Sequence, residues 1–176
     1  MKGLKKFTVL ILFILPTIIG VKAQTFTIND KVINLGIGAG YVWSVDGSVW
    51  PAFNLSFEKG IKNIEDIGVL SIGGTAGFQH AYFKNLSWTD FIFGARFAFH
   101  LNALNIENFD AYGGIPVGLR FFSKVEYDPY EKVKGYVGPY LGLFIGARYY
   151  FDKKFGIFCE IGHDISWFKV GVSLKI

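Results

Sequence analysis

From about residue 32 onward, apolar and polar side chains alternate with a period of two, and little of the chain carries the spacing of an amphipathic helix. The alternation predicts strands over roughly 32–44, 48–59, 66–80, 88–101, 108–122, 136–151, 154–163 and 167–176, separated by turns rich in Asp, Asn, Gly and Lys. In the fourth segment one face reads Phe91, Phe93, Ala95, Phe97, Phe99 and Leu101, and the other Asp90, Ile92, Gly94, Arg96, Ala98 and His100. The sixth and last segments sort in the same way. Eight such strands in about 150 residues match the smallest closed membrane barrel.

Parity does not say which face turns inward, because a soluble periplasmic lipocalin-like barrel binding an apolar ligand would alternate too, with its apolar side inside. Volume decides. The interior of an eight-stranded barrel is just wide enough to be filled by side chains, and eight rows of Phe, Leu, Ile and Val exceed it. The opposite face carries Gly36, Gly38, Gly40, Gly73, Gly77, Gly94, Gly114, Gly118, Gly142 and Gly146, which suits a crowded interior. The apolar face is therefore expected to meet lipid. Pro116, central in its strand, is expected to force a bulge, since proline cannot donate to a ladder.

The glycine face also collects the charges: Arg96, Arg120 and Arg148, all the arginines of the chain, with Glu58, Asp90, Asp110, Glu160, Lys169 and His100. Charges removed from water must be paired. The expectation is a salt-bridged plug built on Glu58, Arg96, Arg120, Arg148 and Glu160, and the same residues would set selectivity if the lumen conducted. Trp50, Tyr112, Phe122, Tyr140, Phe144, Tyr150 and Trp167 share this face.

Before the strands lies a different segment. Residues 1–23 run from a lysine-bearing start through FTVLILFILPTIIGV to Val21-Lys22-Ala23, the three regions of a signal peptide, giving a leader at 1–23 and a barrel domain at 24–176. The apolar stretch holds Pro16 and is shorter than the roughly 20 residues that span a bilayer. Of 18 basic residues, Lys2, Lys5, Lys6 and Lys22 lie in that leader, leaving 14 bases against 14 acids. With the excess charge gone, nucleic-acid binding has no electrostatic footprint. One cysteine and three scattered histidines give neither an intramolecular disulfide nor zinc-ligand spacing, so no metal or cofactor is expected. Cys159 shares parity with Phe155, Ile157 and Ile161 and should face lipid.

Several stretches resemble the small outer-membrane β-barrel proteins of Gram-negative bacteria, the OmpX/OmpA-type, porin-like barrels: PAFNLSFEKGI at 51–61, GLRFF at 118–122, GARYYFDKKFGIFCEIG at 146–162 and the final FKVGVSLKI. The resemblance implies residence in the outer membrane, contact with its lipid, and delivery by the barrel-assembly machinery, which reads a C-terminal strand with apolar residues at alternate positions. Ile176 stands where that family usually ends in Phe or Tyr. A non-enzymatic role as a structural, narrow-channel or surface-interaction protein follows by analogy. With the N-terminus taken as periplasmic, the connection at 123–135, SKVEYDPYEKVKG, would be the longest external loop and the place for an outside partner. The competing enzyme reading is a lipid A-modifying barrel using Glu160, His163, Asp164 and Ser166. Its signal is weak, because Asp and Ser are ordinary turn residues and the His-x-Ser order of the deacylases is absent.

Overall fold

The structure is a computed structural model, and it describes residues 26–40, 48–49, 51–65, 67–104, 106–126 and 132–176. The leader, Trp50 and the connection at 44–47 lie outside these residues. Eight antiparallel strands follow in chain order: β1 Lys31–Gly40, β2 Ala52–Ile64, β3 Gly68–Phe83, β4 Leu86–Leu101, β5 Phe109–Glu126, β6 in two pieces, Lys132–Leu141 and Leu143–Tyr150, β7 Phe155–His163 and β8 Ser166–Lys175. Each pairs with the next, and β8 pairs back onto β1 from Val32↔Lys175 to Gly40↔Ser166. The up-and-down barrel is thus closed where the eight strands overlap, and the Lys132–Leu141 piece of β6, paired with β5 alone, extends beyond the closed part. A fragment at Ser48–Val49 adds to β3 opposite Tyr82 and Ala81. No described helix is long and apolar enough to cross a membrane; the crossing elements are strands.

Burial follows the alternation. Leu35, Leu55, Phe93, Leu119, Ile145, Ile157 and Val172 lie open on the outside, while Asn34, Ser56, Glu58, Arg96, Arg148 and Glu160 are fully enclosed. From Phe91 to Phe99 the outward face of β4 covers roughly 30 Å of strand, or about 22 Å of height once tilted by ~40°, close to the apolar band of an outer-membrane barrel.

Three local expectations fail. Pro116 causes no bulge: Gly114↔Phe144 and Val117↔Leu141 keep one register on either side of it, and the opposed Gly142 N–H donates to the Pro116 carbonyl at 2.9 Å. Gly142 has no side chain to oppose the proline ring, and an added Cβ would lie 2.9 Å from its Cγ, so the strands tolerate one missing bond without slipping. The bulges fall elsewhere, at Ile61 in β2 and at Trp167 in β8. Trp167 is the extra residue between Ser166 and Phe168, which turns it outward against the His163 ring at 5.0 Å instead of into the lumen. Finally, the connection at 123–135 is mostly ladder. Ser123 to Glu126 pair with Gly135 to Lys132, and only 127–131, outside the described residues, separates the strands. Alternating valines at 125, 133 and 137 extend the period-two pattern through this charged stretch.

Candidate functional site

The lumen is organised by rows of cross-strand partners, and two of these rows place a glycine between two polar residues. Glu58 on β2, Gly73 on β3 and Arg96 on β4 stand in one row. Because Gly73 has no side chain, Glu58 Oε1 reaches past it to accept from Arg96 Nε at 2.6 Å. Tyr112, Gly146 and Glu160 form the second row. Here the Tyr112 hydroxyl donates to Glu160 Oε1 over Gly146 at 2.9 Å, and a Cβ on Gly146 would sit 2.7 Å from the tyrosine ring and 2.8 Å from Glu160 Cγ. At Gly73 the added Cβ would lie 1.7 Å from the Phe57 carbonyl oxygen, so backbone would have to move. Gly73→Ala is expected to lower stability by about 1–3 kcal/mol, read as an earlier urea midpoint in lipid vesicles; an unchanged midpoint would refute the close approach.

From these rows a continuous ionic network runs through the core. Arg96 also donates to Glu160 at 2.5 Å, and Glu160 Oε2 takes Lys169 Nζ at 2.9 Å. Lys169 reaches Asp164, whose other oxygen accepts the backbone N–H groups of Ile165 and Ser166. In the opposite direction Glu58 Oε2 faces Arg148 at 3.5 Å and His100 Nε2 at 3.3 Å, and Arg148 donates to Asp110 at 2.7 Å. His100 Nδ1 lies 2.9 Å from Asp110 Oδ1 and its Nε2 3.0 Å from Ser71 Oγ. Both ring nitrogens face carboxylate oxygens, so an imidazolium, which donates from both, satisfies them. Four acids then meet four cations. Phe144 lies under the Arg96 guanidinium at 3.6 Å, and Tyr112 under Arg148 at 4.5 Å, covering the faces that carry no hydrogen bonds. A neutral cluster, Ser173 to Asn34 to Ser56, brings in β1.

Both ends of this network are capped by apolar side chains. Phe26 precedes β1 and stacks on the His100 ring, centroids 3.6 Å apart and planes 6° apart, beside Val32 and Val69. Its segment is fastened by Asn102 Nδ2 donating to the Phe26 carbonyl at 3.0 Å, by paired backbone bonds of Asn29 and Asp30 with Gly60, and by a Lys175–Asp30 ion pair at 2.9 Å. At the other end Ile165, in the β7–β8 turn, packs on Ala52 and Ile92.

The structure therefore brings Glu58, Arg96, Arg148 and Glu160 into one buried network. Arg120 stands apart from it, in a bidentate pair with Asp90 toward the end where β3 and β4 join. Phe26 and Ile165 escaped the sequence reading, and Asp164 entered it only as a turn residue of the enzyme cluster, since nothing in a turn or a pre-strand segment signals that it folds inward. The catalytic constellation is not assembled: Glu160, Asp164 and Ser166 are enclosed, whereas His163 lies outside against Trp167. The enclosed side chains of the lumen are largely charged and polar, and nothing in the described residues favours the lipocalin-like alternative. Cys159 faces outward, in line with its parity. Among the described residues no group of three metal-ligating side chains occurs.

Eight antiparallel strands closed into a barrel, with an outward apolar belt and an ion-paired lumen, have the fold of the outer-membrane β-barrels. The outer membrane protein OprG of Pseudomonas aeruginosa has a similar structure, with a TM-score of 0.54 and 10% identity over 88% of this chain and 99% of that one. So does Neisserial surface protein A, with a TM-score of 0.52 and 13% identity over 84% and 95%. The N-terminal β-barrel domain of OprF from Pseudomonas aeruginosa gives 0.51 and 11% over 85% and 98%. No protein-family model matches the chain, and no curated protein matches it.

Proposed function

We propose that this protein is a non-conducting, non-catalytic outer-membrane barrel that serves as a rigid membrane scaffold and presents its outer rim to partners. The observation that carries this reading is the lumen: Glu58, Arg96, Arg148 and Glu160 are locked together in a network that includes Lys169, Asp110 and His100, with Phe26 and Ile165 sealed against either end. An ion entering would have to break several buried charge pairs at once. Ser71, His100 and Asp110 do stand in one hydrogen-bonded line, but all three are enclosed beneath Phe26, and His163 lies apart from the enclosed Glu160, Asp164 and Ser166, which supports a non-enzymatic role. In this reading the signal peptide delivers the chain to the envelope, and the alternating strand from Phe168 to Ile176 is recognised by the barrel-assembly machinery.

The surface for a partner is the rim built by β3 to β6. β4 continues to Leu86 beyond Ile92, the residue touching Ile165, and β5 and β6 continue to the 126–132 connection. Tyr136 is exposed on this extension. The refolded barrel in a planar bilayer, its folding confirmed by a mobility shift between unheated and boiled samples, is expected to give no steady single-channel current. A steady conductance from the folded form would overturn the reading and make the network residues selectivity candidates.

A further inference from the structure

The lipid-facing belt is not evenly convex. Between β5, β6, β7 and β8 its large side chains give way to Ala147 and Cys159, leaving an open concavity of about 540 Å³ on the outer wall. The row of Phe109, Tyr149, Ile157 and Val172 borders it toward the β6–β7 turn, and Val170 stands beside the floor. Ala147 pairs with Cys159, and Cys159 with Val170, so the shallow floor crosses three strands at one level. Elsewhere the outward face carries mostly Phe, Leu, Ile and Val, with small residues at Gly74, Ala76, Ala95 and Gly113.

One end of this groove points to the β6–β7 turn, and the turn is basic. Asp152 accepts the backbone N–H groups of Lys154 at 2.6 Å and Phe155 at 2.7 Å. Those two bonds, that from Phe155 foremost, hold its carboxyl below the ordinary aspartate range, and the Lys154 charge adds to them. Another acid at this end, Asp30, is committed to Lys175. Lys153 and Lys154 are exposed, leaving the turn with one net positive charge. Phe151 and Phe155 face outward beside the turn, above Tyr149 and Ile157, as the aromatic girdle of a barrel does at the membrane interface. Along β7 the distance from Lys154 to Cys159 is five residues, roughly 16 Å of strand or about 13 Å of depth at a tilt of ~40°, close to half of the ~25 Å apolar band of an outer-membrane barrel.

From this geometry we infer that the groove is a binding site for one anionic phospholipid, its acyl chain lying over Ala147 and Cys159 and its headgroup phosphate held by Lys153 and Lys154. The inference rests on the apolar face meeting lipid, as the barrel class requires. A chain whose headgroup lies at the turn ends where the floor is lowest, so chain length and charge agree on one occupant.

The test is native mass spectrometry of the full refolded chain released from nanodiscs of equimolar phosphatidylglycerol and phosphatidylcholine. One retained phosphatidylglycerol per barrel is expected. Replacing both lysines, Lys153→Gln with Lys154→Gln, should cut the preference for phosphatidylglycerol on the order of tenfold. Cys159→Phe, which fills the floor, should reduce retention of both lipids. Each variant is first shown to be folded by the mobility shift between unheated and boiled samples, which keeps a folding failure distinct from a loss of binding. Retention of no lipid, equal retention by all variants, or a lipid-free dimer showing that a second copy occupies the groove would each overturn the inference.

Discussion

Arg96→Met is expected to destabilise the barrel by about 3–5 kcal/mol, the range for removing one partner of a buried ion pair and leaving the rest uncompensated. Arg96 is fully enclosed and is the single bridge between two acids, holding Glu58 at 2.6 Å and Glu160 at 2.5 Å. Without it Glu160 keeps Lys169 and the Tyr112 hydroxyl, and Glu58 keeps the weaker contacts to His100 and Arg148. The core would then hold an uncompensated carboxylate charge at a fully enclosed position. The measurement is the urea midpoint of reversible unfolding in lipid vesicles. Adding Glu58→Gln removes the excess charge, so the double variant should be more stable than Arg96→Met alone, and the cycle should give a coupling energy well above zero. Additive losses, or an Arg96→Met midpoint equal to that of the parent, would show that the network does not hold the strands together. The network's value lies in specificity as much as in stability, because each arginine fits only one arrangement of neighbouring strands.

Phe26→Ala should cost a similar amount, about 3–5 kcal/mol, as expected for deleting a fully buried aromatic ring. The ring covers His100 face to face and closes the end of the lumen near Val32 and Val69. Its loss leaves the imidazole and the carboxylates of Glu58 and Asp110 beneath an open cap. The segment carrying it lies outside the strand ladder, yet Asn102, Gly60 and Lys175 all fix it. Urea unfolding of Phe26→Ala beside Ile28→Ala, which removes an exposed side chain of the same segment, separates the two views. An equal and small loss in both would mean that Phe26 does not seat in the barrel.

The alternation of side chains determined the strands and the make-up of each face, and the volume of an eight-stranded lumen then assigned the apolar face to the outside, because a period of two holds along any stretch of strand without a bulge. It also determined that Glu58, Arg96, Arg148 and Glu160 share the interior, since a charge on the glycine face has nowhere else to go. Pairing was not legible. That Glu58 reaches Arg96 across Gly73, and Tyr112 reaches Glu160 across Gly146, depends on the registers of two successive hairpins, and Arg96 meets Glu160 across the lumen only when the barrel closes. The same holds for Arg120, whose parity is that of Arg96 but whose height places it beside Asp90. Trp167 shows how local the limit is: one bulge in β8 reverses its side, and a bulge is decided by the partner strand. Phe26, Asp164 and Ile165 belong to segments without periodicity, where the direction of a side chain is set by the space the finished barrel leaves open. The sequence by itself determined which faces exist and what each is made of; the tertiary structure decided who meets whom, because register, tilt and closure are properties of all eight strands together.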